Sequence, residues 1–140
     1  MTDPDVLGNI ANAKFITGDP EIVNLWRPSA ASGDLAMHHP SDSTTNGVDY
    51  VCPASRIFWF LKFYISEGSD EDIEIQKDTS PDTTDGTTLC KLYHVVPITT
   101  TTVQEYDIGS CKFVAGEYVN INQVGGGSMF VWGWGVECDA

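Results

Sequence analysis

Histidines, cysteines and clustered carboxylates are the residues of this 140-residue chain whose chemistry could be put to work. His38 and His39 stand side by side in a polar stretch, His94 stands alone in an apolar one, and no G-x-S-x-G elbow accompanies them, so a Ser-His-Asp triad has no support. His38 and His39 with His94 or a cysteine could hold a soft metal, or the pair simply belongs to an exposed polar arm. Glu67, Asp70, Glu71 and Asp72, and again Asp78, Asp82 and Asp85, offer oxygen ligands of the kind calcium takes. Neither set follows the twelve-residue loop with its central glycine and closing glutamate, and solvated acidic turns are the expectation. A carboxylate pair for glycoside chemistry must face its mate across a groove, a separation that only the fold sets. Cys52, Cys90, Cys111 and Cys138 are too far apart for a C-x-x-C motif or a zinc knuckle and read as reduced, buried small hydrophobes. In an oxidising compartment they would allow three pairings. With no cofactor fingerprint and no catalytic constellation, neither a cofactor nor an enzymatic activity is expected.

The aromatic side chains are the other candidate site. Trp26, Trp59, Trp132 and Trp134 could stack on sugar rings, as in carbohydrate-binding sandwiches, or serve as core and subunit contacts; their alternating strand positions favour contacts. Trp26, Phe58, Phe60, Tyr64, Trp132 and Trp134 are the candidate interface residues.

These residues need strands to position them. The closing stretch, residues 112–138, holds two β-rich runs joined by Gly125-Gly126-Gly127-Ser128, a hairpin signal, and its second run sets Trp132 and Trp134 against Gly133 and Gly135. Residues 56–66, RIFWFLKFYIS, form the longest strand candidate. Strict alternation predicts a core face of Ile57, Trp59, Leu61, Phe63 and Ile65 and a second face of Phe58, Phe60, Lys62 and Tyr64. Further strands are read at residues 13–17, 21–26, 48–52, 73–77, 87–96 and 103–108, with turns at 67–72, 78–86 and Gly109-Ser110. Residues 29–47, rich in polar and turn-forming types, read as a long loop or arm, whose ordering would call for a neighbouring surface or another subunit because its own apolar content cannot offset the entropy of fixing it. The prediction is an all-β, antiparallel, jelly-roll-like β-sandwich of about 7–8 strands over residues 48–140, with an extended N-terminal arm over residues 1–47.

Composition narrows the partners. Twenty acidic residues against seven Lys plus Arg give a formal net charge of −13, and the cations are scattered singly, so phosphate-neutralising contact with nucleic acid is not expected. The first residues lack the apolar run of a signal peptide and no stretch approaches a membrane span, which predicts a soluble protein that is not secreted by that route.

The phrase Phe113-Val114-Ala115-Gly116-Glu117-Tyr118-Val119, a hydrophobic approach, a Gly-Glu pivot and an alternating strand, resembles the closing strands of small jelly rolls, among them tumour-necrosis-factor-like domains and viral coat and fibre modules. Together with the polar arm, the β body from Tyr50-Val51-Cys52-Pro53-Ala54 and the ending Trp132-Gly133-Trp134-Gly135-Val136-Glu137, the layout resembles small jelly-roll proteins that decorate or cement tailed-bacteriophage heads or form head fibres. That resemblance implies a structural protein of the virion, made in the host cytoplasm. It would sit on the capsid surface as a homotrimer, in contact with the major capsid protein and its own copies. The four cysteines and the acidic surface are not part of that layout. A carbohydrate- or receptor-binding β-sandwich, such as a fibre tip, is the alternative.

Overall fold

A computed structural model describes residues 16–27, 36–39, 48–66, 71–95, 103–124 and 130–140. Among them the chain is all-β, with no helix and seven strands: β1 (Glu21–Arg27), β2 (Arg56–Ser66), β3 (Glu71–Asp78), β4 (Thr87–His94), β5 (Gln104–Val114), β6 (Tyr118–Val124) and β7 (Phe130–Asp139). They form two antiparallel sheets, a four-stranded one in the order β1-β7-β2-β5 and a three-stranded one in the order β4-β3-β6. Large apolar side chains from both sheets fill the space between them. Phe58, Phe60, Phe63 and Ile65 of β2 meet Phe113 of β5, Ile73 and Ile75 of β3 and Val119 and Ile121 of β6. The rings run on as a chain, Tyr50 to Phe58 at 5.0 Å, Phe58 to Phe60 at 5.7 Å and Phe60 to Phe63 at 6.2 Å between centroids, within the range of favourable tilted and edge-on contacts.

One residue overturns the alternation expected for β2. Between Phe60 and Lys62 the pairing with both neighbours shifts, leaving Leu61 as a β-bulge. An extra residue exchanges the two faces of a strand. Before the bulge the even positions Phe58 and Phe60 point into the core, both 0% exposed; after it the odd positions Phe63 and Ile65 do. Ile57 and Trp59, expected inside, therefore lie on the outer face. Phe58 and Phe60, expected at an interface, are core residues.

The closing stretch is not a hairpin. β6 pairs with β3 in the smaller sheet, whereas β7 lies between β1 and β2 in the larger one, so the chain changes sheets between them. The glycines of β7 accommodate rings of its own sheet: a Cβ at Gly133 would come 2.5 Å from Phe60, and one at Gly135 would come 2.6 Å from Phe58. Gly109-Ser110 is likewise no turn, because β5 runs through it to Val114 with a register shift against β2. The turn comes at the Gly116-Glu117 pivot. Gly116 adopts φ 86°, the Glu117 N–H bonds Val114 O at 3.0 Å, and Cys52 docks on both sides by donating to Glu117 O and accepting from Gly116 N.

The segment expected as a detached arm contributes to the sandwich. β1 is an edge strand paired along its length with β7. Residues 36–39 then cross from that edge to the other sheet: Trp26 and His38 exchange backbone bonds of 3.0 and 2.7 Å, and Met37 N donates to Val119 O of β6 at 2.9 Å. Ala36 N also binds the Asp82 carboxylate at 2.8 Å. Tyr50 N donates to Met37 O and Val51 bridges Tyr118, so the β1/β6 side is strapped by main chain. The opposite side, β4 against β5, has no such strap among the described residues. The strand candidate at 13–17 and the acidic residues Glu67 and Asp70 lie largely outside the described residues.

Candidate interaction face

The outer face of the larger sheet gathers the aromatic residues into transverse rows set by strand register. One row runs Ile22, Val136, Trp59, Lys112; the next Asn24, Trp134, Lys62, Asp107; the third Trp26, Trp132, Tyr64, Glu105. Rings thus occupy the two central strands, and charges line the β5 edge. Tyr64 and Trp132 stack nearly parallel, at 5.7 Å and 15°, and the Lys112 ammonium sits 5.7 Å from the Trp59 ring centre. Lys62 pairs with Glu105 across the same edge, which holds its ammonium pKa above the usual lysine value. The four tryptophans and Tyr64 are half-buried, and apolar margins remain open at Ile22, 58% exposed, and Val114, 41% exposed. The indole N–H of Trp26 has no acceptor among the described residues.

Of the six residues expected at an interface, the fold brings Trp26, Tyr64, Trp132 and Trp134 together on this face and buries Phe58 and Phe60 beneath it. Trp59, one of the four candidate tryptophans but expected on the core face and left out of the interface set, also lies here, because the bulge that turns it outward leaves no mark in the pattern of apolar residues. Lys62 supplied a signal: a lysine flanked by apolar residues marks an outward position, and counting parity backward from it without a bulge misplaces residues 57–60.

A second cluster braces the end of the sandwich. Glu137, nearly buried, accepts from the Tyr50 hydroxyl at 2.9 Å on one oxygen and from Arg56 Nε at 3.2 Å on the other. Arg56 also reaches Asp139 at 2.6 Å, Asp19 at 3.7 Å and the Asp19 carbonyl at 2.9 Å. Burial, then the neighbouring carboxylate, pushes the Tyr50 phenol far above its usual range. With both oxygens of Glu137 engaged, the cluster ties residues 19, 50, 56 and 137–139 together and presents no free carboxylate.

The remaining sequence candidates are dispersed. His38 Nε2 lies 2.7 Å from Asp49, the His39 ring packs edge-on against Tyr50, and His94 Nδ1 bonds Tyr106 at 2.8 Å. Asp78 organises its own turn by accepting from Thr79 N, Ser80 N and Thr83, which lowers its pKa. Among the described residues no three His, Cys, Asp or Glu side chains are grouped to hold a metal ion, and no helix is long and apolar enough to cross a membrane. All four cysteines are free. Comparison with protein-family models, curated proteins and solved structures finds no match for this chain.

Proposed function

We propose that this chain is a non-enzymatic structural protein of a virion, a decoration or cement protein that binds the outer surface of a tailed-phage head through the outer face of its larger sheet. The observation that carries the proposal is the band of half-buried rings, Trp26, Trp132, Tyr64, Trp134 and Trp59, spanning three adjacent strands and edged by charge. Buried aromatic anchors within a polar rim are how protein interfaces gain most of their affinity. The strand order supports the jelly-roll part of the reading. Counting residues 36–39 and 48–52 as one interrupted strand beside β6, the sheets run first-eighth-third-sixth and second-seventh-fourth-fifth, the order of a jelly roll. Copies would assemble as trimers, each contacting the coat protein, and the weak contacts of each copy would add up over the lattice of the shell.

The test is binding to heads of the phage that encodes the protein. Wild-type protein should co-sediment with heads lacking it and raise the temperature at which they rupture, and light scattering should give three times the 15.3 kDa chain mass. Trp132→Ala should weaken binding about 30-fold, the effect of losing one interface anchor of ~2 kcal/mol, while leaving the fold intact. Heads indifferent to the protein would sink the proposal.

A carbohydrate- or receptor-binding module is the second reading, favoured by the polar Asn24, Lys62 and Asp107 beside the Trp134 ring. The stacking of Tyr64 on Trp132 weighs against it, because each covers a ring face that a sugar would need. Binding of the isolated protein to a glycan array, lost in Trp134→Ala, would decide for this alternative.

A further inference from the structure

The two sheets are joined by main chain on the β1/β6 side, but β4 and β5 on the other side meet only lightly. A cavity of about 530 Å³ opens there, lined by Lys77, Leu89, Ile108, Cys111, Lys112 and Val114. Cys111 lines this opening, and Cys90 stands on the facing edge strand. Cys111 of β5 is buried in the core, Cys90 of β4 is half-buried against the same core, and the two thiols lie near enough across the gap between the sheets to shift each other's ionisation. Cys52 and Cys138 have other surroundings: Cys52 faces the carbonyls of Arg56 and Phe113, and Cys138 faces the Thr17 hydroxyl.

We propose that Cys90 and Cys111 are a site of reversible oxidation, at which a disulfide staples the open side of the sandwich. With a peroxide as oxidant, the Cys90 thiolate attacks the O–O bond, and its sulfur becomes a sulfenic acid as the first water leaves. The Cys111 sulfur then displaces the sulfenic oxygen, which departs as a second water. Two thiols lose two electrons to the peroxide and their two protons end in the waters formed. Cys90 is the entry point because it is only half-buried, whereas Cys111 is buried. Burial pushes the Cys111 thiol up to about 12 and raises Cys90 as well, so oxidation is slow at neutral pH and accelerates toward pH 9. The link joins edge strands of opposite sheets and closes a loop through the β4–β5 connection, which restricts the unfolded chain.

The full chain treated with hydrogen peroxide at pH 8.5 should lose 2 Da by intact mass. Peptide mapping should join residue 90 to residue 111, and Tm should rise by roughly 10 °C, reversed by dithiothreitol. The C52S/C138S double variant should behave identically. C90S and C111S should each show no 2 Da loss; C90S, altered at a half-exposed site, serves as the folded control if C111S fails to fold. A 2 Da loss mapped to any other pair, oxygen addition in steps of 16 Da with the thiols still unlinked, or disulfide-linked dimers as the main product would each overturn the proposal.

Discussion

Gly133 and Gly135 show how narrowly single side chains are constrained. Both lie under phenylalanine rings and against the backbone of β2, so an added methyl has no room. Gly135→Ala should cost about 3 kcal/mol in urea unfolding, through overpacking. Gly116→Ala makes a useful contrast. Nothing lies within 4 Å of its missing Cβ, and the penalty of about 1 kcal/mol arises from its φ of 86° alone. Tyr50→Phe should destabilise by about 2 kcal/mol, because one oxygen of the nearly buried Glu137 loses its donor while the ring packing against Phe58 remains. If Tyr50→Phe proved neutral, the Tyr50–Glu137 bond would not be part of the brace described here.

β2 shows why strand type is easier to read than strand facing. Its β-branched and aromatic content announces a strand, yet the side each residue takes depends on Leu61, an extra residue indistinguishable by composition from its neighbours. Deleting Leu61 would restore strict alternation and oblige either Phe58 and Phe60 or Phe63 and Ile65 to leave the core. The deletion variant should lose its cooperative unfolding transition, whereas Leu61→Ala, which keeps the register, should still unfold cooperatively at lower urea. The same reasoning explains the failed hairpin. A glycine-rich connection permits a tight turn without requiring one, and here β6 pairs with β3 while β7 lies between β1 and β2 of the other sheet.

The whole molecule titrates in a direction set by its buried thiols and phenols. Burial raises Cys52 to about 11 and Cys111 to about 12, and also raises Cys90, Tyr106 and Tyr50. The unfolded chain releases these protons from their ordinary values of 9.0 for thiol and 10.0 for phenol, whereas the folded chain retains them to higher pH. Folded protein therefore holds more protons above pH 9, and stability is full below that value and lost as pH rises. Thermal unfolding under reducing conditions should show a Tm falling steadily from pH 9 to 12; a flat profile would contradict the burial of these groups. A net charge of −13 adds self-repulsion, so raising NaCl from 0.05 to 0.5 M at pH 7 should raise Tm as the Debye length shortens.

Composition and local pattern by themselves determined that this chain is an acidic, antiparallel β protein of short strands, because strand propensity, turn chemistry and net charge are properties of neighbouring residues. They also marked Trp132 and Trp134, since ring and small residues alternate visibly along β7, and Tyr64, on the second face read for residues 56–66. Tertiary structure alone decided that β6 and β7 part into separate sheets, that Leu61 turns Trp59 outward and Phe58 and Phe60 inward, and that residues 36–39 strap one side of the sandwich while β4 and β5 meet only lightly on the other. Each of these depends on contacts between residues distant in sequence, where the choice is made by competition for one shared core and no local pattern can record the outcome.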